Sequence, residues 1–341
     1  NNGFQIRTLK GARLICKKHP NVQIIMKLFA FAMLSLVPSV TVCSVFSKEV
    51  DIYSGTYGND DVEVFQPEEV MYHLAGRDGV FYEGAFTFDN YNPDKGGAGN
   101  RQGVFSGYST HFSSTEGTSL GFHCTGLNPG KNSSASKSFI FVMGPWESGE
   151  EFVAPQVTFQ NLGDLSFIAD NMDMIGITDG ATAGTGGGRY GKADIVSFNN
   201  VGNIEFRGLN HGGIGFSRLN SLAFTNTGDI SFTDMKMGYS SNGGAIFINQ
   251  GGNSSLYSNP GDGNISFDHT GSIIFRNLVK TSYYMSSAGI FTNEGSISFN
   301  DTENILFENN TSTGGPAAIG IGSIFLPDNQ PSLSFSNIRG D

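Results

Sequence analysis

Residues 222–232 read LAFTNTGDISF, and four other stretches match it without a gap: VTFQNLGDLSF (157–167), VSFNNVGNIEF (196–206), ISFDHTGSIIF (265–275) and ISFNDTENILF (297–307). Each carries two phenylalanines eight residues apart, at 159/167, 198/206, 224/232, 267/275 and 299/307. A sixth copy starts at LSFSN (333–337). Self-similarity of this kind marks a repeat architecture, in which one unit cannot bury its apolar side alone and stacks on its neighbours.

A shorter phrase, Gly-x-[Ile/Leu]-x-Phe, recurs at Gly163, Gly202, Gly228, Gly263, Gly271 and Gly295. Its aliphatic residue and its Phe are two apart, so they share one face of a strand. The residue between them is mostly polar and suits the outer face. The glycine is expected at a corner that needs positive φ. Phe-x-Asn begins at Phe88, Phe159, Phe198, Phe224, Phe247, Phe275, Phe291, Phe307 and Phe335. Asn tolerates the left-handed conformation, and stacked copies can line up as amide ladders.

Successive Phe pairs start 39, 26, 43 and 32 residues apart, so the length variation lies between the units. These features predict an all-β fold, a right-handed parallel β-helix over 151–341. A β-sandwich would explain the alternation but not the repeated Phe pair. Residues 48–150 are less regular. GVFYEGAFTFDN (79–90) and TSLGFHCTGL (118–127) read as imperfect rungs and NPGKNSSASKS (128–138) as a loop, so an N-terminal β/cap region is expected there.

Composition agrees. The 341 residues include 47 Gly and 29 Phe but one Trp, which favours short strands and tight turns. Residues 1–47 hold six Lys or Arg and no acid. The other 14 basic residues face all 31 acidic ones over 48–341, a formal charge of −17. Such a surface repels phosphate backbones, so no nucleic-acid partner is expected.

From Met26 the text reads MKLFAFAMLSLVPSVTVCSVFS: a Lys, a ten-residue apolar run (28–37), Pro38 and a small residue at Ser47. This predicts a secretory signal peptide over 26–47, with 1–25 as upstream sequence. Cys43 also raises a lipoprotein reading, against which stands the bulky Val42 before it. Of Cys16, Cys43 and Cys124, only Cys124 would survive cleavage. It is expected either as a small core residue or as a thiol for self-association through an intermolecular disulfide.

Residues 242–250 read NGGAIFINQ. The tetrapeptide Gly243–Gly244–Ala245–Ile246, its variants GGAG (96–99), GGIG (212–215) and GGPAAI (314–319), and Phe-x-x-Asn at Phe307 to Asn310 resemble the repeats of the chlamydial polymorphic outer-membrane proteins. Most other Phe sites carry Asn one place earlier than that family's pattern. The resemblance covers about 150–341. It implies an autotransporter with a signal peptide, a β-helical passenger that attaches to host cells, and a C-terminal outer-membrane barrel. No run of alternating barrel strands follows, and 333–337 stops within a repeat, so a passenger truncated before its barrel is expected. The tetrapeptide itself reads as the corner and start of a rung. If the Phe-x-Asn offset holds there, Phe247 points inward.

The main rival is a β-helix polysaccharide lyase or hydrolase. Its best candidates are Asp170, Asp173 and Asp179, with Arg189 and Lys192 nearby in sequence. Their spacing lacks the order of a calcium loop, and a solvated loop is the plainer reading. GGGRYG (186–191) matches Gly-x-Gly-x-x-Gly without opening a helix. GDGNISFD (261–268) occurs once, where calcium-binding repeats need stacked copies. His73, His111, His123, His211 and His269 show no ligand spacing. No catalytic residue, metal or cofactor is therefore assigned. Arg339–Gly340–Asp341 spells an integrin-recognition tripeptide, which short-motif chance also explains. Asn132, Asn253, Asn264 and Asn310 open glycosylation sequons that matter only in a eukaryotic secretory chain. The expected function is a non-enzymatic adhesin or surface antigen that meets a host-cell receptor. It would be exported to the cell surface if a barrel follows, and otherwise be periplasmic or secreted. A structural spacer or immune decoy is the further alternative.

Overall fold

The computed structural model describes residues 15–16, 43–44, 48–63, 66–88, 103–128, 137–142, 155–179, 193–216, 219–237, 244–248, 263–281, 287–293, 295–322 and 331–340. The expected signal peptide and the segment before it lie outside the described residues, apart from a short antiparallel pair of Ile15–Cys16 with Cys43–Ser44.

From Lys48 onward every strand pairing is parallel, and the pairings sort into three faces visited in turn. Face A holds Gln156–Leu162, Ala193–Val201, Leu219–Thr227, Asn264–Thr270, Ile297–Thr302 and Leu333–Ser336. Face B holds Leu120–Asn128, Leu165–Met172, Ile204–Leu209, Ile230–Thr233, Ile273–Arg276 and Ile305–Glu308. Face C holds Lys137–Val142, Met174–Thr178, Gly212–Phe216, Ile246–Ile248, Ile290–Thr292 and Ile319–Ile321. A narrow strip between B and C stacks Lys236–Met237, Val279–Lys280 and Thr311–Ser312. The chain is thus a parallel β-helix.

The same faces continue below residue 151. Lys48–Tyr57 pairs with Gln66–Thr87 across faces A and B, and Gly103–Ser114 runs from face C into face A. The stretch 48–150, read from sequence as an irregular cap region, therefore contributes coils of its own where it is described.

The repeated phenylalanines form two continuous columns. On face A, Tyr72, Phe112, Phe159, Phe198, Phe224, Phe267, Phe299 and Phe335 stack at 4.6–5.2 Å. On face B, Tyr57, Tyr82, Phe122, Phe167, Phe206, Phe232, Phe275 and Phe307 stack at 4.7–5.6 Å. Strand spacing of about 4.8 Å sets that interval, so the backbone ladder and the ring stack reinforce one register. A well-placed aromatic pair contributes roughly 0.5–1.5 kcal/mol beyond its buried area. From residue 156 on, two residues join face A to face B in each coil, which fixes the eight-residue Phe spacing.

The corners correct one expectation. Among the six glycines of the Gly-x-[Ile/Leu]-x-Phe phrase, only Gly263 has positive φ. The left-handed position is taken two residues after each inward Phe. After face A it is Asn161, Asn200, Asn226, His269, Asp301 and Asn337; after face B it is Gly208, Asp234, Asn277 and Asn309, with Asn171 slightly later. The glycines serve close stacking instead. A Cβ on Gly202 would sit 2.7 Å from Asp164 Oδ1, and one on Gly228 2.6 Å from Asn203 Oδ1. Those oxygens form a ladder: Asn203 N–H donates to Asp164 Oδ1 (2.8 Å), Asp229 N–H to Asn203 Oδ1 (3.0 Å) and Ser272 N–H to Asp229 Oδ1 (2.8 Å).

Face C also differs from the conditional reading. Ile246 and Ile248 join the core, whereas Phe247 lies on the opposite side of the strand and stacks on Phe291 at 5.5 Å. Phe247 and Phe291 pair in register, flanked by Gly215 and Gly320 in the coils on either side.

Candidate functional site

The residues of the Gly-Gly-Ala-Ile tetrapeptide and of Phe307 to Asn310 help hold the stack together where they are described. Gly243 lies outside the described residues. Gly244 and Ala245 enter face C, where a Cβ on Gly244 would sit 2.6 Å from Ser287 O. Ala245 N–H donates to Ala288 O (2.9 Å), and Ala245 O accepts from Gly213 N–H (2.9 Å) and Ile214 N–H (3.0 Å). Small residues here also make room for face B. A Cβ on Gly213 would meet the Phe232 ring at 2.7 Å, and one on Gly289 would meet Phe307 at 3.0 Å. Asn310 staples its coil to the one below, accepting from Leu278 N–H at 3.0 Å and donating to Phe275 O at 3.0 Å. Ile246 is fully buried, and Phe307 packs against the core.

The three aspartates of the enzyme reading are spread apart. Asp170 is exposed at the end of face B, 3.4 Å from His123 Nε2. Asp173 lies at the next corner, 3.9 Å from His211 Nε2, with 79% of its side chain exposed. Asp179 is buried beyond the far end of the strand Met174–Thr178. Arg189 and Lys192 lie outside the described residues, as do GGAG (96–99), GGGRYG (186–191), Asn132 and Asn253. Among the described residues no three His, Cys, Asp or Glu gather as a metal site. Each described histidine instead meets a carboxylate, as His111 does with Glu69 (3.0 Å) and His269 with Asp301 (3.1 Å). Burial pushes the His211 imidazole below its ordinary range, opposed by Asp173. Burial likewise lowers the Lys280 ammonium.

Cys124 is fully buried, its Sγ 3.2 Å from Gly126 O and 3.7 Å from Met172 Sδ. Burial raises its pKa, which disfavours the reactive thiolate. The disulfide-linked self-association expected from sequence would require this coil to open. Arg339 is bound by Asp301, whose pKa its guanidinium lowers, and Arg339 N–H donates to Thr302 O at 3.0 Å. The Arg of the integrin tripeptide thus already has a carboxylate partner, while Asp341 lies outside the described residues. Gly340 sits over Asn304. The Asn264 and Asn310 sequons have their amide oxygens engaged by Ser296 N–H and Leu278 N–H.

Among the described residues there is a concavity that sequence reasoning missed except for Asp170. An open groove of about 540 Å³ follows the corner after face B. It is lined by Asp170, Asn171, Arg207, Gly208, Asp234, Lys236, Asn277 and Asn309 over a floor that includes Ala169, with Val279 alongside. Its origin is the left-handed column. Asn277 Nδ2 donates to Asp234 Oδ1 (2.8 Å) and Asn309 Nδ2 to Asn277 Oδ1 (3.4 Å), but Gly208 leaves a gap in the row. A Cβ at Gly208 would collide with Ala169 O, so the groove reaches the backbone there. The available signal was the residue two after each face-B Phe: Gly208, Asp234, Asn277 and Asn309.

No family model, curated protein or solved structure matches this chain.

Proposed function

We propose that the chain is a non-enzymatic β-helical scaffold of the bacterial surface, an adhesin or surface antigen that presents variable segments to a host-cell receptor. The observation that carries this reading is where the chain varies. The register of faces A and B is kept while the coils differ in length, and from residue 156 the A-to-B corner is always two residues. The longest connections between strands instead leave or enter face C: those from Thr87 to Gly103, Val142 to Gln156, Thr178 to Ala193 and Ile248 to Asn264. A framework that holds its register while one side changes in length suits display, because binding residues concentrate on loops set on a rigid scaffold. The resemblance in the tetrapeptide repeats supports the same reading, as does the acidic balance, which favours solubility and disfavours polyanionic partners.

The test is adhesion of the purified chain to cultured epithelial cells, with segments 180–192 and 249–262 replaced by Gly/Ser sequence of equal length. The expected result is a tenfold or greater loss of binding with the far-ultraviolet β signal unchanged. Equal binding by the replaced chain would remove the display reading.

A further inference from the structure

We propose that the groove after face B is a binding site for a linear, uncharged oligosaccharide lying along the axis of the coil. It goes beyond the display reading, because it uses side chains at the ends of the face-B strands and on the strip beside them, and not the long connections of face C.

Shape comes first. The lining residues come from five successive coils: Asp170 and Asn171, then Arg207 and Gly208, then Asp234 and Lys236, then Asn277, then Asn309. Four intervals of roughly 4.8 Å make a trough about 19 Å long. Its volume of about 540 Å³ is larger than an ion needs, and its extension over five coils suits a chain-like ligand.

Chemistry decides the class. The lining offers amides, carboxylates, a guanidinium and an ammonium, with Ala169 and Val279 as its only aliphatic members among the described residues. A hydroxyl both donates and accepts, so a polyhydroxyl chain can satisfy this mixed set at every coil. A peptide would need apolar pockets for anchoring side chains. It also could not extend the sheet along this direction, because the backbone groups of a parallel coil are spent on the coils above and below. A polyanion is opposed by Asp170 and Asp234 in the groove and by the overall negative charge.

The groove is also held ready. Asp234, Asn277 and Asn309 are fixed by one another through their side chains, and Lys236 N–H donates to Asn210 Oδ1 at 3.2 Å. Little ordering is left to lose on binding. The Lys236 ammonium has no acceptor among the described residues. Arg207 holds only a 3.5 Å contact to Glu205, with both side chains well exposed. These two cations are therefore free to donate to sugar hydroxyls.

The experiment measures binding of the full chain to immobilised glucan, mannan and N-acetylglucosamine oligomers, in a ladder from disaccharide to hexasaccharide. Expected is binding of at least one series that strengthens with chain length and then levels off, weakened tenfold or more in the Arg207→Ala/Lys236→Ala double variant. Asp51→Ala, an exposed change in the first coil, should bind as the parent does. Near-ultraviolet and far-ultraviolet circular dichroism confirm that the variants are folded. Absence of binding to every series overturns the proposal. So does binding that ignores the double substitution, or a preference for sulfated oligomers that vanishes in salt. Release of new reducing ends would replace it with an enzyme. Cell adhesion of the double variant separates the two readings, since display through the face-C segments survives loss of the groove.

Discussion

The corner between faces A and B and the two ends of face C are parts of the same coils, yet they obey different rules. At the A–B corner successive coils repeat one plan: an inward Phe, a left-handed residue two places on and, in the coils from Gly163 to Gly228, a close-packed glycine followed by an Asx oxygen bonded to the next coil's N–H. Around face C the anchors are short strands such as Ile246–Ile248 and Ile290–Thr292, joined through segments of many lengths. The difference follows from what each region must satisfy. A two-residue corner has no slack, so any side chain that misfits meets the neighbouring coil. A longer connection absorbs change, since loop closure grows only slowly with length.

The sharpest way to break this comparison is to remove a ring from an aromatic column. Phe224 is fully buried between Phe198 at 4.6 Å and Phe267 at 4.8 Å. Phe224→Ala is expected to cost about 3–5 kcal/mol, the range for a large-to-small change in a packed core. Among the described residues Phe247 stacks on one ring, Phe291, outside the core cluster, and Phe247→Ala should cost less. Urea denaturation followed by circular dichroism compares them, and equal losses would erase the distinction between the two regions.

Next in size is the corner glycine. Gly271→Ala places a methyl against the Asp229 carboxylate and the Gly228 carbonyl carbon. The cost of forcing an atom into packed structure is about 1–3 kcal/mol. In the next coil Glu303 occupies the equivalent place and Ser272 stands where Asp229 stands below. Gly271→Ala combined with Asp229→Ser should therefore recover part of the loss. No recovery would mean that backbone contact, not the Asx oxygen, enforces glycine.

Asn200 tests the left-handed column at a smaller scale. Its φ is 55°, and its amide donates to Asn161 Oδ1 at 2.9 Å. Asn200→Ala loses the ladder bond and adds roughly 1–2 kcal/mol of left-handed strain. Asn200→Gly loses the bond alone, a net of about 1 kcal/mol. A glycine variant no more stable than the alanine variant would show that side-chain bonding, not backbone conformation, selects Asn here.

These residues also explain what could be read in advance. The Phe pairs were visible because a two-residue corner holds them eight apart. Tyr72/Tyr82 and Phe112/Phe122 occupy the same columns but are ten apart, since their corners are longer, so residues 48–150 looked irregular. Face C offered no aromatic period: its inward residues are mostly aliphatic, such as Ile177, Ile214, Ile246, Ile248 and Ile290, with Phe216 among them, and the more conspicuous Phe247 and Phe291 turn away from the core. The groove was hidden for another reason. It is assembled from one or two polar residues of each of five coils and deepened by a missing side chain at Gly208, so its lining is scattered along the sequence.

A smaller, pH-dependent effect bears on the corner between face B and face C. His211 is mostly buried there, and burial lowers its pKa despite Asp173 nearby and with Lys137 acting in the same sense as burial. The sign follows from proton binding. The unfolded imidazole protonates near its ordinary value of about 6.5, while the folded one resists until lower pH. Its contribution is therefore intact above that value and declines as pH falls from it toward the lowered folded value. The difference in stability between the parent chain and His211→Gln should accordingly shift against the parent on acidification from about pH 8 to about pH 5. A difference independent of pH would show that the ring stays equally proton-accessible in both states.

The smallest effect is expected where the chain is longest between strands. Segment 249–262 connects Ile246–Ile248 on face C with Asn264–Thr270 on face A, and Thr292 Oγ1 donates to Gly263 O at 2.9 Å just where the segment ends. Because that bond and the face-A register are set by neighbouring coils, the ends of the segment are held whatever its length. Halving it should change closure entropy by only about 0.6 kcal/mol, far below the loss from one column Phe. The measurement is the urea midpoint and slope of a chain lacking seven residues within 250–260. A change on the scale of Phe224→Ala would mean that this connection packs on the coil as part of the framework, and the two sides of the molecule would then differ in sequence length but not in kind.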